Sequence, residues 1–287
     1  MIIPRYWVRG SHKGSDSSGT EHEFYAWGWS STSKDDAENL GNRRAKNVFD
    51  HFISAQGFPE RENFWYYPEV PVREEIIDIL HSRDFALITR NRYGALILNT
   101  ASVMFVDIDM PEQHANHGLW TSVKMMFSNS AKEEAKNDER NEQFTKIHDW
   151  WWKNQDYTFR VYQTKAGFRL LFTNQYFDPT SPETERIFDE LGADSLYKRL
   201  TIKQDCYRAR LTVKPWRVNF YPPPGSFPEI DSKQLESWVK TYEEKSEDYV
   251  VCKFIEQMGT EVIDETMGMI ISVHDKYCCS DTNKPLA

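Results

Sequence analysis

Asp107 and Asp109 close the run Ser-Val-Met-Phe-Val-Asp-Ile-Asp-Met from Ser102 to Met110, two carboxylates one residue apart at the end of an apolar stretch too short for a typical helix. In an extended strand successive side chains alternate faces. Both carboxylates therefore project to one side, about 6 to 7 Å apart at the backbone, while Ile108 points to the other. Oxygen donors spaced this way suit a divalent cation such as Mg²⁺, Mn²⁺ or Ca²⁺, which takes oxygen ligands at about 2.0 to 2.6 Å. A bare Asp-x-Asp also arises as loop chemistry, one carboxylate capping a turn and the other solvated. The remaining polar residues of the chain decide between the two.

The cations are concentrated. From Leu196 to Arg217 the chain carries Lys198, Arg199, Lys203, Arg208, Arg210, Lys214 and Arg217 against Asp205 alone, inside a protein of formal charge -9. That overall charge argues against a non-specific nucleic-acid coat, whereas a basic island within it points to an anion-facing groove. By the period-two rule Arg208 and Arg210 share one strand face, with Thr212 next along it. The segment after Asp231 is acidic and is a candidate surface for a protein partner.

These residues need elements to hold them. Tyr6 to Val8 and Glu23 to Trp29 read as strands around a Gly/Ser-rich turn from Gly10 to Gly19, followed by a helix capped by Ser33 with Ala45, Val48, Phe49 and Phe52 on one side. A short helix is expected from Arg73 to His81 after Pro71. Phe85 to Thr89, Ala95 to Leu98 and Val103 to Ile108 read as strands, the last buried and central. Residues 111 to 137 read as a polar loop, and Asp138 to Lys153 as an amphipathic helix. Its three consecutive tryptophans cannot all face the core, so at least one is expected at a domain contact or free for base stacking. Thr158 to Gln163 and Phe168 to Thr173 form a hairpin around Lys165-Ala166-Gly167. Helices follow at Pro182 to Leu191 and Ser195 to Ile202, a strand at Tyr207 to Val213, a helix at Ser232 to Lys245 and a strand at Tyr249 to Phe254. Frequent hairpins among helices favour an α+β fold with a mainly antiparallel sheet over a doubly wound parallel one. The organisation expected is an N-terminal β-β-α subdomain over residues 1–82, a core over 83–225 and a C-terminal helix-strand extension over 226–287.

Three pieces stand in order: the strand ending Asp107-Ile-Asp109, the hairpin from Tyr162 to Phe172, and the segment Asp205-Cys-Tyr-Arg-Ala-Arg-Leu-Thr-Val-Lys214. This order resembles the catalytic core of the archaeo-eukaryotic primase and primase-polymerase superfamily, over roughly Phe85 to Tyr221. The resemblance implies an RRM-like antiparallel sheet and a metal-dependent nucleotidyltransferase acting on a nucleoside triphosphate and a DNA or RNA strand. It makes Asp107 and Asp109 the ligands of Mg²⁺ or Mn²⁺ and Asp205 the third acid. Thr164-Lys-Ala-Gly-Phe-Arg169 takes the place of the family's Ser-Gly-x-Gly-x-His motif, which contacts the phosphates. Arg169 stands where that family has His; it can grip phosphate as a permanent cation with a bidentate fork, but it does not titrate near neutral pH. The phosphate-binding candidates are then Thr164, Lys165, Arg169, Arg208, Arg210 and Lys214.

The same residues are compatible with other classes. A non-catalytic nucleotide- or nucleic-acid-binding module on the same fold would use the cations and not the acids. A metal-dependent phosphodiesterase or nuclease could recruit His114 and His117. There is no Gly-x-x-x-x-Gly-Lys-Ser/Thr loop and no Gly-x-Ser-x-Gly elbow. His274, Cys278 and Cys279 have loose zinc-ligand spacing, but the paired cysteines of a structural zinc motif are missing, so four reduced cysteines in a cytoplasmic protein is the expectation. No apolar run reaches the length of a membrane span.

Overall fold

A computed structural model describes residues 1–55, 71–110, 129–260, 263–279, 281 and 283–287. The chain opens with a hairpin, β1 (Tyr6–Ser15) and β2 (Glu21–Ser30), and a helix, α1 (Lys34–Ala55). Asp16 makes the turn, its Oδ1 accepting from the backbone N–H groups of Ser18 at 2.8 Å and Thr20 at 3.0 Å, an arrangement suited to a short polar side chain. The strands run further into the Gly/Ser-rich stretch than its composition suggests. Gly10 and Gly14 serve the helix rather than the turn: a Cβ on Gly10 would sit 2.2 Å from the backbone N of Asn42, and one on Gly14 2.5 Å from the Phe49 ring. Ser33 caps α1, its Oγ accepting from Asp36 N–H at 3.1 Å, and so satisfies one of the helix's orphan donors.

Two four-stranded antiparallel sheets follow. The first has the order β3 (Glu75–Leu80), β4 (Ala86–Arg90), β5 (Leu96–Thr100), β9 (Tyr207–Arg210). The second has the order β10 (Cys252–Met258), β7 (Phe159–Thr164), β8 (Gly167–Phe172), β6 (Phe105–Asp109). One edge strand of each sheet therefore comes from outside residues 83–225, β3 from the N-terminal side and β10 from the C-terminal side. One apolar cluster includes Ile88 and Leu98 of the first sheet and Val106, Val161 and Leu170 of the second. The fold is α+β, with antiparallel sheets flanked by helices and an N-terminal β-β-α unit.

The helix expected at Arg73 to His81 is instead the strand β3, paired in antiparallel register with β4 from Glu75↔Arg90 to Leu80↔Ala86. Three isoleucines in five residues carry the β preference that decides it. The helices that flank the sheets are α2 (Asn129–Lys153), α3 (Pro182–Leu191), α4 (Ser195–Gln204), α5 (Ser232–Ser246) and α6 (Glu265–Cys278). α2 begins within the stretch expected as loop. α6 has no counterpart in the sequence reading, although Met267, Ile270 and His274 are buried at helical spacing and Asp264 caps it, accepting from Met267 N–H at 2.9 Å. Of the three tryptophans, Trp150 is buried and donates to Glu190 at 2.8 Å, Trp151 donates to the Tyr157 carbonyl at 3.0 Å, and Trp152 stays 65% exposed. No helix among the described residues is long and apolar enough to cross a membrane.

Candidate functional site

The pairing of β6 with β8 sets Asp107 opposite Arg169 and Asp109 opposite Gly167. That alignment is fixed by a close approach: a Cβ on Gly167 would lie 1.9 Å from the Ile108 carbonyl oxygen, so only glycine lets the strands meet there. Arg169, 1% exposed, donates from Nε to Asp107 Oδ1 at 2.8 Å and from Nη2 to Oδ2 at 3.2 Å. Its Nη1 donates to the Arg210 carbonyl at 2.9 Å. Burial works against the guanidinium charge, but the facing Asp107 more than restores it, and Arg169 holds its proton more tightly than a free arginine. A buried charge of this kind is tolerated because it is paired and hydrogen-bonded.

Asp109 is exposed at the end of β6. Its carboxyl is pushed above the usual carboxylate range, first by loss of hydration and then by Asp107 and Asp194, while Lys214 and Arg210 pull it back. Asp194 is brought in by α4. Its backbone N–H donates to the Asp107 carbonyl at 3.0 Å, and its Oδ1 accepts from Tyr197 N–H at 2.7 Å as the helix cap. The third acid of the cluster is thus Asp194.

Asp205, assigned to that place from the sequence, ends α4 in a left-handed conformation at φ 51°. Its Oδ2 accepts from the Met1 amino group at 2.7 Å. The sequence signal for Asp194 was its position as a cap, Asp-Ser-Leu-Tyr, which reads as structural on its own.

The cations divide the same way. Arg208 is consumed by Glu74, with Nη2 at 2.7 and 2.8 Å from its two carboxylate oxygens, and Glu74 also accepts from Thr89 Oγ1 at 2.6 Å. Arg208 therefore ties the strand of the first sheet to the segment before β3 and is not offered to a ligand. Glu74 carried no motif; its partner lies more than a hundred residues away. Arg210 is different. Its Nε is buried with no hydrogen-bond partner, and its charge is disfavoured, by burial and then by Arg169, so that its pKa falls to about 10. Lys214 is lowered too, by burial, Arg210 and Arg217, with Asp109 and Asp107 opposing. Thr164 closes the β7–β8 turn, its Oγ1 accepting from Gly167 N–H at 3.0 Å. Lys165 in that turn is exposed, and the next residue, Ala166, accepts from Met110 N–H at 2.9 Å, directly after Asp109.

The ends of β6, the β7–β8 turn and the segment after β9 therefore meet. Together with β8, the cap of α4 and the end of β9 they gather Asp107, Asp109, Asp194, Arg169, Arg210, Lys214 and Lys165, and leave Asp205 and Arg208 to structural partners. His114 and His117 lie outside the described residues.

A divalent ion there would draw on Asp109 and Asp194. Asp107 has both oxygens engaged by Arg169, and the cations already balance the three carboxylates, so these residues fit Mg²⁺ or Mn²⁺ poorly. What the arrangement leaves open is a hydrogen-bond acceptor for Arg210 Nε. Comparison with known protein families, curated proteins and solved structures gives no match.

Proposed function

We propose that this chain is a primase-like module that binds the phosphates of a nucleotide or of a DNA or RNA strand without transferring nucleotides. The observation that carries the reading is Arg210, half-buried with an unpartnered Nε and a depressed charge, beside Lys214, whose charge is also disfavoured. Two cations held out of water next to each other gain most from an anion, and phosphate oxygens accept from both. The order of strand, hairpin and basic segment supports the primase-polymerase type of sheet. The use of Asp107 to hold Arg169 supports binding over catalysis.

A direct test is calorimetric titration with ATP and with a short single-stranded oligonucleotide, with and without Mg²⁺. Binding is expected in both conditions, and Lys214→Ala is expected to weaken it about tenfold, the loss of about 1.4 kcal/mol that one charged contact commonly contributes. Affinity that requires Mg²⁺ and is indifferent to Lys214→Ala would sink the proposal.

A second reading, the metal-dependent nucleotidyltransferase, draws support from the crowding of Asp109 by Asp107 and Asp194, which a cation relieves. Primer extension that disappears in Asp109→Asn would favour it; hydrolysis of the oligonucleotide without extension would point to a phosphodiesterase.

A further inference from the structure

Behind the Asp107–Arg169 pair, α6 and the start of β10 bring together residues that the phosphate site does not use. Cys252, His274 and Cys278 are each fully buried, and one ligand atom from each lies within 4.8 Å of the others. His274 and Cys278 are four apart on one face of α6, and Cys252 opens the strand beneath. The Val251 N–H donates to the Cys278 carbonyl at 3.1 Å, which fixes the end of the helix against that strand. The Sγ of Cys279 is 3.4 Å from that of Cys252. A tetrahedral metal with bonds to sulfur of about 2.3 Å holds its sulfurs about 3.8 Å apart, so the pair is already near that spacing.

We propose that Cys252, His274 and Cys278, with Cys279 as the fourth ligand, form a structural site for a thiophilic divalent cation, zinc in particular. The surrounding groups suit this. Asp275 Oδ1 lies 3.0 Å from His274 Nδ1; a carboxylate on one ring nitrogen orients the imidazole and leaves the other to the metal. Asp275 is itself held by Tyr162 Oη at 2.7 Å and Arg160 Nη2 at 2.9 Å. The competing neighbour of His274 Nε2 is Arg169 Nη1 at 3.5 Å, which has a better acceptor in the Arg210 carbonyl at 2.9 Å. Charge balances as well. On binding, each thiol gives its proton to solvent; two thiolates cancel the ion, and a third leaves one negative charge facing Arg169 and Arg210. The metal would pin α6 to β10 behind the strand that presents Arg210, whose carbonyl is 3.4 Å from Cys278 Sγ.

Titration of the reduced full-length chain with Co²⁺ alone tests this. The expected result is saturation at one equivalent, with the intense visible bands of tetrahedral thiolate-bound cobalt, and their loss when zinc is added. Cys252→Ser and Cys278→Ser are each expected to weaken binding at least tenfold, while Cys206→Ser, at a buried cysteine elsewhere in the fold, leaves it unchanged. If the serine variants fold poorly, the wild-type spectrum still decides: weak octahedral bands, or no saturable binding, overturn the site. Retention of the wild-type spectrum in folded Cys252→Ser and Cys278→Ser overturns it equally. Phosphate binding at Lys214 is read separately, so either result stands without the other.

Discussion

At the scale of the residue, the Asp107–Arg169 pair sets what the site can be. Arg169 is 1% exposed on its side chain and Asp107 30%, so the arginine has traded all of its hydration for one carboxylate and two further contacts. Removing the carboxylate leaves a buried, unmatched charge. Asp107→Asn is therefore expected to cost about 3–5 kcal/mol of stability, measured as a lowered urea midpoint followed by tryptophan fluorescence. The Lys46–Asp50 pair has similar N···O geometry but both partners stand more than half exposed, and Asp50→Ala is expected to leave the midpoint where it is. If the two substitutions shift the midpoint alike, Asp107 does not hold Arg169 in the way its geometry implies. A carboxylate committed to stability on this scale is poorly placed to serve also as the main ligand of a catalytic metal.

At the scale of the element, glycines decide which surfaces can touch. α1 crosses β1 and β2 at backbone contact, and a methyl group on Gly28 would lie 1.9 Å from the Ala37 carbonyl oxygen. Gly28→Ala must push the helix away and is expected to destabilise the β-β-α unit by about 1–3 kcal/mol. Gly268, inside α6, would carry the same methyl into open space; Gly268→Ala is expected to be neutral or to stabilise by about 0.5–1 kcal/mol through helix propensity. Thermal unfolding is expected to show a lowered midpoint for Gly28→Ala and an unchanged or raised one for Gly268→Ala, and equal shifts would refute the packing argument. The sequence displays these elements unevenly. Alternation and turn residues expose β6, β7 and β8 and hence the Asp107–Asp109 strand and its hairpin, because those signals are local. The strand β3 reads as helix because Pro71 just before it looks like a helix start, although its partner β4 follows closely, and α6 is passed over because two of its four buried positions, His274 and Cys278, are not typical apolar residues. In the site, Lys165, Arg169, Arg210 and Lys214 are legible as cations at the right spacing. Asp194, Glu74 and Cys252 are not, since each acquires its meaning from a partner brought near only by the fold.

At the scale of the whole molecule, a chain of net charge -9 offers phosphate a cation cluster in an otherwise unfavourable field. On the proposed function, nucleic acid would be held by the few cations that reach it and not by a broad basic face. Among the described residues, Lys165, Arg210 and Lys214 are the candidate cations left for this role, since Arg208 is bound to Glu74 at 2.7 Å. Each phosphate neutralised on a single strand contributes about 0.7 to the fall of log affinity with log salt. Three give a slope of about -2. Fluorescence anisotropy of a labelled single-stranded oligonucleotide across salt concentrations should return that shallow slope, and Lys214→Ala should lower its magnitude by about 0.7. A slope steeper than about -4 would require more phosphate contacts than this cluster supplies. The strand would then be running over a different surface, and the phosphate site beside Asp109 would have to be abandoned as the principal contact.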